Sequence, residues 1–385
     1  MNKKVSIAFS GDIGFDKYMD KKWEDKKFLS EDILKFFHSA DHVCINVEGA
    51  LLDLTGIENK SQFFHAMNPQ ATTLFDKIGA DIYSIGNNHI MDAGIEGVKS
   101  TVKIAKGKGV YTIGAGENID QASTPVYIDS AGGIGIFNVS YMKENTPATK
   151  TQAGFFAWND MEEIQKRIKE IKSKCRWCIV VAHGGDEFSP IPNTYTRDRY
   201  MEYLQFGADV VVGHHPHVVE NYELFGDGKM IFYSLGNFIF DTNYQRSHIN
   251  TDVGVLLKLE FSQEKLEFNA IGIKLNREKG KIEKSELPDI FENVNETEYE
   301  ILKPLFTKAF IEEEKRKMIY LEPEKYSNAT LKEWEEYFYS DTPDGFVKGE
   351  HMDLSISYPV SKHFTKGEWQ KSKLEKVKNY LLKHI

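Results

Sequence analysis

Short apolar runs alternate with amphipathic stretches from the start of the chain to about residue 260. The runs are Val5–Phe9, Val43–Val47, Asp81–Ile85, Val110–Ile113, Gly135–Val139, Cys178–Ala182, Asp209–Val212, Met230–Leu235 and Val253–Leu259. Runs this short, bounded by turn residues, suit strands rather than helices. Helix patterns lie between several of them. Asn68-Pro69 before Leu74, Phe75 and Ile78 reads as a cap with proline at the first helical position. Asn159-Asp160-Met161-Glu162 resembles a capping box, with Met161, Ile164, Ile168 and Ile171 on one face. Strands alternating with helices predict an α/β protein.

The polar residues that close these strands matter more. Asp12 follows the first run, Asn46 and Glu48 close the second, and Asn87, Asn88 and His89 follow the third. His183 follows Cys178–Ala182, His214, His215 and His217 follow Asp209–Val212, and Asn237 follows Met230–Leu235. Ligands of open α/β sheets bind outside the carboxyl ends of strands. Strand ends that carry such side chains therefore predict one site.

Beyond residue 262 the chain turns rich in Lys, Glu and aromatics, with helical patterns near 295–318, 330–338 and 367–383. No strand-end cluster of polar residues recurs there. The expected division is a site-bearing domain over 1–262 and a mostly helical accessory region over 263–385.

Composition narrows the partners. With 41% hydrophobic and 28% charged residues in 385, a sizeable core forms and wholesale disorder is excluded. Lys and Arg number 48 against 58 Asp and Glu, a formal charge of −10. That balance argues against nucleic acid or an anionic membrane as the main partner. Three cysteines make no disulfide framework, and the Cys175-x-x-Cys178 pair follows a Lys-rich helix instead of opening one. Reduced thiols, no membrane-length apolar run and no secretory apolar stretch lead to a cytoplasmic expectation.

Gly213-His214-His215-Pro216-His217 is the strongest local signal for chemistry. Imidazole is the commonest protein ligand for Zn, Fe and similar ions, and three in four positions outweigh a packing role. Gly86-Asn87-Asn88-His89 offers a hard amide ligand beside a general acid, or else a left-handed turn. With Asp12, Glu48 and His183 the inventory is oxygen and nitrogen without thiolate. It suits one or two divalent ions, Mn, Zn, Fe or Co, which hold a hydroxide and polarise a phosphoryl or carbonyl oxygen. Arg197 either grips an anionic substrate or joins a helix-surface salt bridge. Asn237 either orients substrate or braces a turn. His42 and His65 are single histidines and receive a packing role.

The ordered blocks Gly11-Asp12, Asn46-x-Glu48, Asn87-Asn88-His89-x-x-Asp92-x-Gly94, His183-Gly184-Gly185, Gly213 to Val218 and Tyr233 to Asp241 resemble the CapA family of capsule and poly-γ-glutamate synthesis. That family belongs with the calcineurin-like metallophosphatases. The resemblance covers about residues 4–260. It implies a four-layer αββα sandwich of two mixed sheets with helices outside. It also implies metal ligands at Asp12, Glu48 (bridging), Asn88, His183, His215 and His217. His89 is implied as proton donor, acting with Asp12 in catalysis, and Asn46, Asn237 and Arg197 are the candidates to contact substrate. Metallophosphatases begin with Asp-x-His, and Asp12-Ile13-Gly14 lacks that histidine. His214 competes with His215 for one role. Two functions are therefore expected. One is a metal-dependent hydrolase of a small or polymeric phosphoester, amide or ester. The other is an accessory protein that docks a capsule-assembly partner.

Overall fold

The computed structural model describes residues 4–55, 63–141, 146–339 and 373–385. They form two compact units, Met1–Asn293 and Val294–Ile385. The first unit opens with β1 (Val5–Ile13), β2 (His42–Val47), the short pair β3 (Ala50–Leu51) and β4 (Ala66–Met67), then β5 (Ile82–Ser84) and β6 (Tyr111–Ile113). β7 (Ala115–Gly116), β8 (Val126–Ile128), β9 (Ile134–Ser140), β10 (Gly154–Phe155) and β11 (Trp177–His183) follow. β12 (Val210–His214), β13 (Tyr222–Leu224), β14 (Met230–Phe232), β15 (Asn237–Ile239), β16 (Val253–Phe261), β17 (Leu266–Asn276) and β18 (Lys281–Ser285) complete the strands. Every expected run lies in or overlaps one of them.

These strands build two mixed sheets. One runs β18-β17-β16-β1-β2-β5-β6, with β15 added beside β1. The other runs β13-β14-β12-β11-β9-β8. Their inner faces meet through aromatic contacts, Trp177 with Phe261 at 5.8 Å and Phe232 with Phe268 at 5.1 Å. Helices α1 (Glu31–His38), α2 (Thr72–Lys77) and α3 (Gly94–Gly107) cover the outer face of the first sheet. The short α4 (Ile119–Ala122) precedes α5 (Met161–Lys174) and α6 (Thr194–Phe206), which cover the second sheet. α7 (Asn243–Ser247) follows β15. This is the expected four-layer αββα sandwich. Strands buried on both faces read as continuous apolar runs, which is why they were legible.

The helix starts follow their residues. Asn68 caps the turn before α2 by accepting from the Gln70 amide, and α5 is capped by Asp160, which accepts from the Glu163 amide. No reciprocal capping-box bond accompanies the second. Ile164, Ile168 and Ile171 are fully buried against β9, β11 and α6. Truncating one of them to Ala would cost about 2–5 kcal/mol.

The boundary differs from the expected one at 262/263. β17 pairs with the full length of β16 and β18 extends that sheet, so the first unit runs on to Asn293. Neither outer strand holds a continuous apolar run: β17 buries Leu266, Ile273 and Leu275 among partly exposed positions, and Ile282 is the single apolar residue of β18, which hid their strand pattern. The second unit holds α8 (Glu296–Leu321), α9 (Pro323–Tyr326), α10 (Leu331–Tyr339) and α11 (Lys373–Leu381). A reciprocal capping box of Asn295 and Glu298 starts α8. Tyr326 stacks on Trp334 at 4.9 Å, and Glu313 takes His384 at 2.8 Å. The expected helix over 367–383 lies partly outside the described residues. Among the described residues no helix is long and apolar enough to cross a membrane.

Candidate metal centre

β1 changes neighbours partway along. Val5 to Phe9 pair with β16, and at Asp12 the parallel strand β15 takes over, placing Asn237 opposite Asp12. On the other side the register slips between Phe9↔Cys44 and Asp12↔Asn46. Such a bulge re-aims the strand end. Gly11 permits the close approach, because a Cβ there would sit 2.1 Å from the Gly236 carbonyl oxygen.

Glu48 leaves β2 on a turn closed by Gly49 at φ +100°. The buried Asn87 joins that turn to the next one. Its Oδ1 accepts from the Gly49 amide at 3.2 Å and the His89 amide at 3.1 Å, while its Nδ2 donates to the Val47 carbonyl at 2.8 Å. Across the sandwich His183 and His214 are register partners at the ends of β11 and β12. His215 and His217 take φ values of +100° and +57°. Left-handed backbone at residues other than glycine costs about 1–3 kcal/mol each and clusters at functional sites.

Two triads converge. Glu48, His183 and His215 bring ligand atoms within 4.8 Å of one another, and so do Asp12, Glu48 and His217. Glu48 belongs to both, with Oε1 3.5 Å from His217 Nε2 and 3.8 Å from His183 Nε2. Asn88 Oδ1 lies 2.9 Å from His183 Nε2. All these residues are buried. Both Glu48 oxygens and His215 Nδ1 have no hydrogen-bond partner among the described residues. A buried carboxylate without donors costs several kcal/mol unless a cation serves it. The donors, oxygen and imidazole nitrogen with one shared carboxylate, fit a divalent metal ion.

The electrostatics point the same way. Burial, then the neighbouring Asp12 charge, holds the Glu48 carboxyl well above the usual range. Burial would also raise Asp12, but the His214 hydrogen bond and the charges of His214 and His217 leave it lowered. Burial pushes His183 well down and His215 down to about 4. A dication amid these groups would be met by neutral imidazoles, and its charge would hold Glu48 ionised.

His214 faces another way. Its Nδ1 donates to Asp12 Oδ1 at 3.0 Å, and His215, not His214, joins the triad. Asn46 and Asn237, expected to meet substrate, are engaged with the cluster itself. Asn46 Nδ2 donates to Asp12 Oδ1 at 2.8 Å. Asn237 Nδ2 donates to the Thr251 carbonyl at 3.0 Å, so its Oδ1 accepts from His217 Nδ1 at 2.9 Å. That bond fixes the tautomer and leaves His217 Nε2 to face Glu48. Arg197 has a different employment, a two-point pair with the buried Glu223 at 2.7 and 3.0 Å. Its expected contact with substrate gives way to this ion pair.

His89 sits beside the cluster with its Nδ1 donating to Asp92 Oδ2 at 2.8 Å. Burial, then His65, lowers its pKa. Sequence reasoning missed the joining role of Asn87 and that of Asn138. Asn138 accepts from the Gly86 amide at 2.7 Å and donates to Val139 and Val181 carbonyls, tying the Asn88–His89 turn to the second sheet. It also missed Phe240. A Cβ on Gly14 would meet that ring at 2.5 Å, so Phe240 fills the space beside the position where Asp-x-His would carry its histidine.

Comparison with known proteins adds a lineage to this geometry. The family model described as bacterial capsule synthesis protein PGA_cap matches residues 6–242, the stretch that holds every residue of the cluster. The PGA biosynthesis protein CapA of Bacillus subtilis strain 168 is 28% identical over 266 residues, covering 66% of this chain and 68% of that one. The capsule biosynthesis protein CapA of Bacillus anthracis is 27% identical over 257 residues, 64% of this chain and 62% of that one. A probable polyglutamine synthesis accessory protein of Mycobacterium tuberculosis strain CDC 1551 is 23% identical over 222 residues, 53% of this chain and 57% of that one.

Proposed function

The chain belongs to the bacterial capsule synthesis protein PGA_cap family, and from that premise we propose that its buried cluster is the metal centre of a hydrolase. Its substrate would be a phosphoester, or an amide or ester, in capsule or poly-γ-glutamate metabolism. The observation that carries this reading is the Glu48 carboxylate, shared by two ligand triads and served by no hydrogen bond among the described residues.

Asp12, Glu48, Asn88, His183, His215 and His217 would hold one or two ions, with Mn, Zn, Fe and Co all suited to the donor set. Bound there, such an ion supplies Lewis acidity and lowers the pKa of a water. The chain supplies the rest. Asn237 and Asn46 hold His217 and Asp12 in place. His89, its Nδ1–H held by Asp92, would take a proton on Nε2 and give it from the resulting imidazolium to the leaving oxygen or nitrogen, an effect of about 10²–10⁴ in rate. The sandwich of buried strands excludes bulk water from the cluster.

A second reading, an accessory protein of capsule or poly-γ-glutamate assembly with a docking partner, draws on one observation. Gly14 with Phe240 packed against it leaves no room for the histidine of Asp-x-His. The mycobacterial relative, by its name, is a probable accessory protein of polyglutamine synthesis. Metal analysis and hydrolysis of an aryl phosphate, with Mn, Zn or Co added, separate the cases. Stoichiometric metal with turnover supports the hydrolase, and stoichiometric metal without turnover on phosphate, amide and ester probes supports the accessory role. Metal below about a tenth of an equivalent after loading, well short of what a preformed ligand set retains, removes both metal readings.

A further inference from the structure

From sequence alone His65 is a lone histidine with a packing role. Its surroundings assign it more. It is buried just before β4, and its carbonyl comes so near Gly49 that a Cβ there would lie 2.5 Å away. Its peptide N–H donates to Asp92 Oδ2 at 2.9 Å, the oxygen that also takes His89 Nδ1 at 2.8 Å. Its own Nδ1 donates to Asp16 Oδ2 at 2.7 Å, since a carboxylate only accepts. The two imidazoles stand perpendicular, at 89° with centroids 4.2 Å apart. Phe240 packs on His65 at 5.1 Å. Two carboxylate–imidazole pairs are thus locked ring against ring, and the outer pair has no contact with the metal triads among the described hydrogen bonds.

We propose that His65, held by Asp16, is a positioning residue that fixes the ring plane and tautomer of His89. Nδ1–H then points to Asp92, and Nε2 is the nitrogen that meets a substrate. A ring without this wall is free to turn about its Cβ–Cγ bond, which takes Nδ1 away from Asp92 and lets the proton settle on either nitrogen. Orientation of a reacting group by an outer carboxylate–imidazole pair follows the logic that orders metal-bound histidines, where such partners contribute about 10–100-fold. The consequence for rate rests on the hydrolase reading, whereas the consequence for the His89 ring does not.

The test uses the full chain labelled with ¹⁵N-histidine, with His89→Gln to assign the His89 ring resonances. Wild type should show one His89 tautomer, protonated on Nδ1. His65→Phe keeps a ring against Phe240 but loses the bond to Asp16. It should give mixed or exchange-broadened His89 tautomers and, on a poor leaving group, a kcat lower by about 10–100-fold with KM and metal content kept. Asp16→Ala attacks the same bond from its other end and should shift the His89 resonances in the same direction. Unchanged His89 resonances in a folded His65→Phe, or in Asp16→Ala where that variant fails to fold, overturn the proposal. A lower melting temperature with normal His89 resonances and normal turnover per folded molecule also overturns it, since His65 then only packs. Shifted resonances in a protein that hydrolyses no probe sustain the positioning role and remove the hydrolase reading instead.

Discussion

Nε2 of His217 stands 3.5 Å from Oε1 of Glu48, and that carboxylate has no hydrogen-bond partner among the described residues. A group so placed burdens the fold by itself and becomes an asset when a cation arrives. Glu48→Gln should therefore split two properties that usually fall together. Affinity for Mn or Zn should drop by more than the roughly 10–100-fold typical of outer-shell changes. The melting temperature of the metal-stripped protein should hold or rise, because a neutral amide replaces a buried acid. Calorimetric metal titration and thermal melts of the stripped protein check both halves. A stripped protein that loses stability while keeping its metal affinity would show Glu48 to be a packing residue.

Arg197 should matter to stability and not to substrate. It shields Glu223, whose side chain is 3% exposed and also accepts from the Tyr233 hydroxyl at 2.9 Å. Arg197→Ala leaves a buried carboxylate without its cation, a loss of about 3–5 kcal/mol. Adding Glu223→Gln, which keeps an acceptor for Tyr233 without the charge, should restore most of it. Denaturant melts of the single and double variants measure this. A raised KM with unchanged stability in Arg197→Ala would return the residue to the substrate site.

What could be read in advance follows from how each residue acts. The strands of the sandwich are buried on both faces, so their apolar runs stood out. Asp12, Glu48, His183 and His217 each lie at or just beyond the end of such a run, and chain order alone placed them at one edge. His215 over His214 could not be chosen that way, because the choice turns on a left-handed backbone at 215. Asn237 acts through His217, 20 residues back, and His65 through Asp92, 27 residues on, and Asp16, 49 residues back. No local pattern encodes such contacts. β17 and β18 escaped notice for the opposite reason. The buried positions of β17 change face along the strand, from Leu266 to Ile273 and Leu275, and β18 has a single apolar residue, Ile282, so neither shows a run or a clean alternation.

His42 offers a pH test far from any ligand. Its Nδ1 donates to Asp81 Oδ2 at 2.6 Å, and that bond raises its pKa above the ordinary 6.5 despite partial burial. A raised folded pKa stabilises fully below the unfolded value and fades as pH climbs through the folded one. His42→Gln should therefore lose more stability at pH 5.5 than at pH 8.5 relative to wild type, with pH values chosen about one unit or more either side of the ordinary histidine range. Parallel melts at the two pH values decide it. An equal loss at both would mean the contact is insensitive to charge.

The last prediction concerns a residue that sequence placed against substrate. Asn237 lies opposite Asp12 across β1 and β15, and its amide is held by the Thr251 carbonyl. The oxygen left over accepts the Nδ1 proton of His217, so the other ring nitrogen faces Glu48. Were Asn237 a substrate contact, Asn237→Ala would raise KM and leave metal affinity alone. As the partner that orients a ligand, it should instead cost about 10–100-fold in metal affinity, with KM unchanged at saturating metal. Asn237→Asp separates geometry from charge. A carboxylate still accepts from Nδ1 but loses the donor to Thr251, and it makes the imidazole more basic. Metal affinity in that variant should fall between wild type and Asn237→Ala, and its pH dependence should move, because the paired ring holds a proton more tightly. Competition with a coloured chelator across pH, run on all three proteins, reads these outcomes directly. Equal metal affinity in wild type and Asn237→Ala would put Asn237 back among the residues that meet substrate.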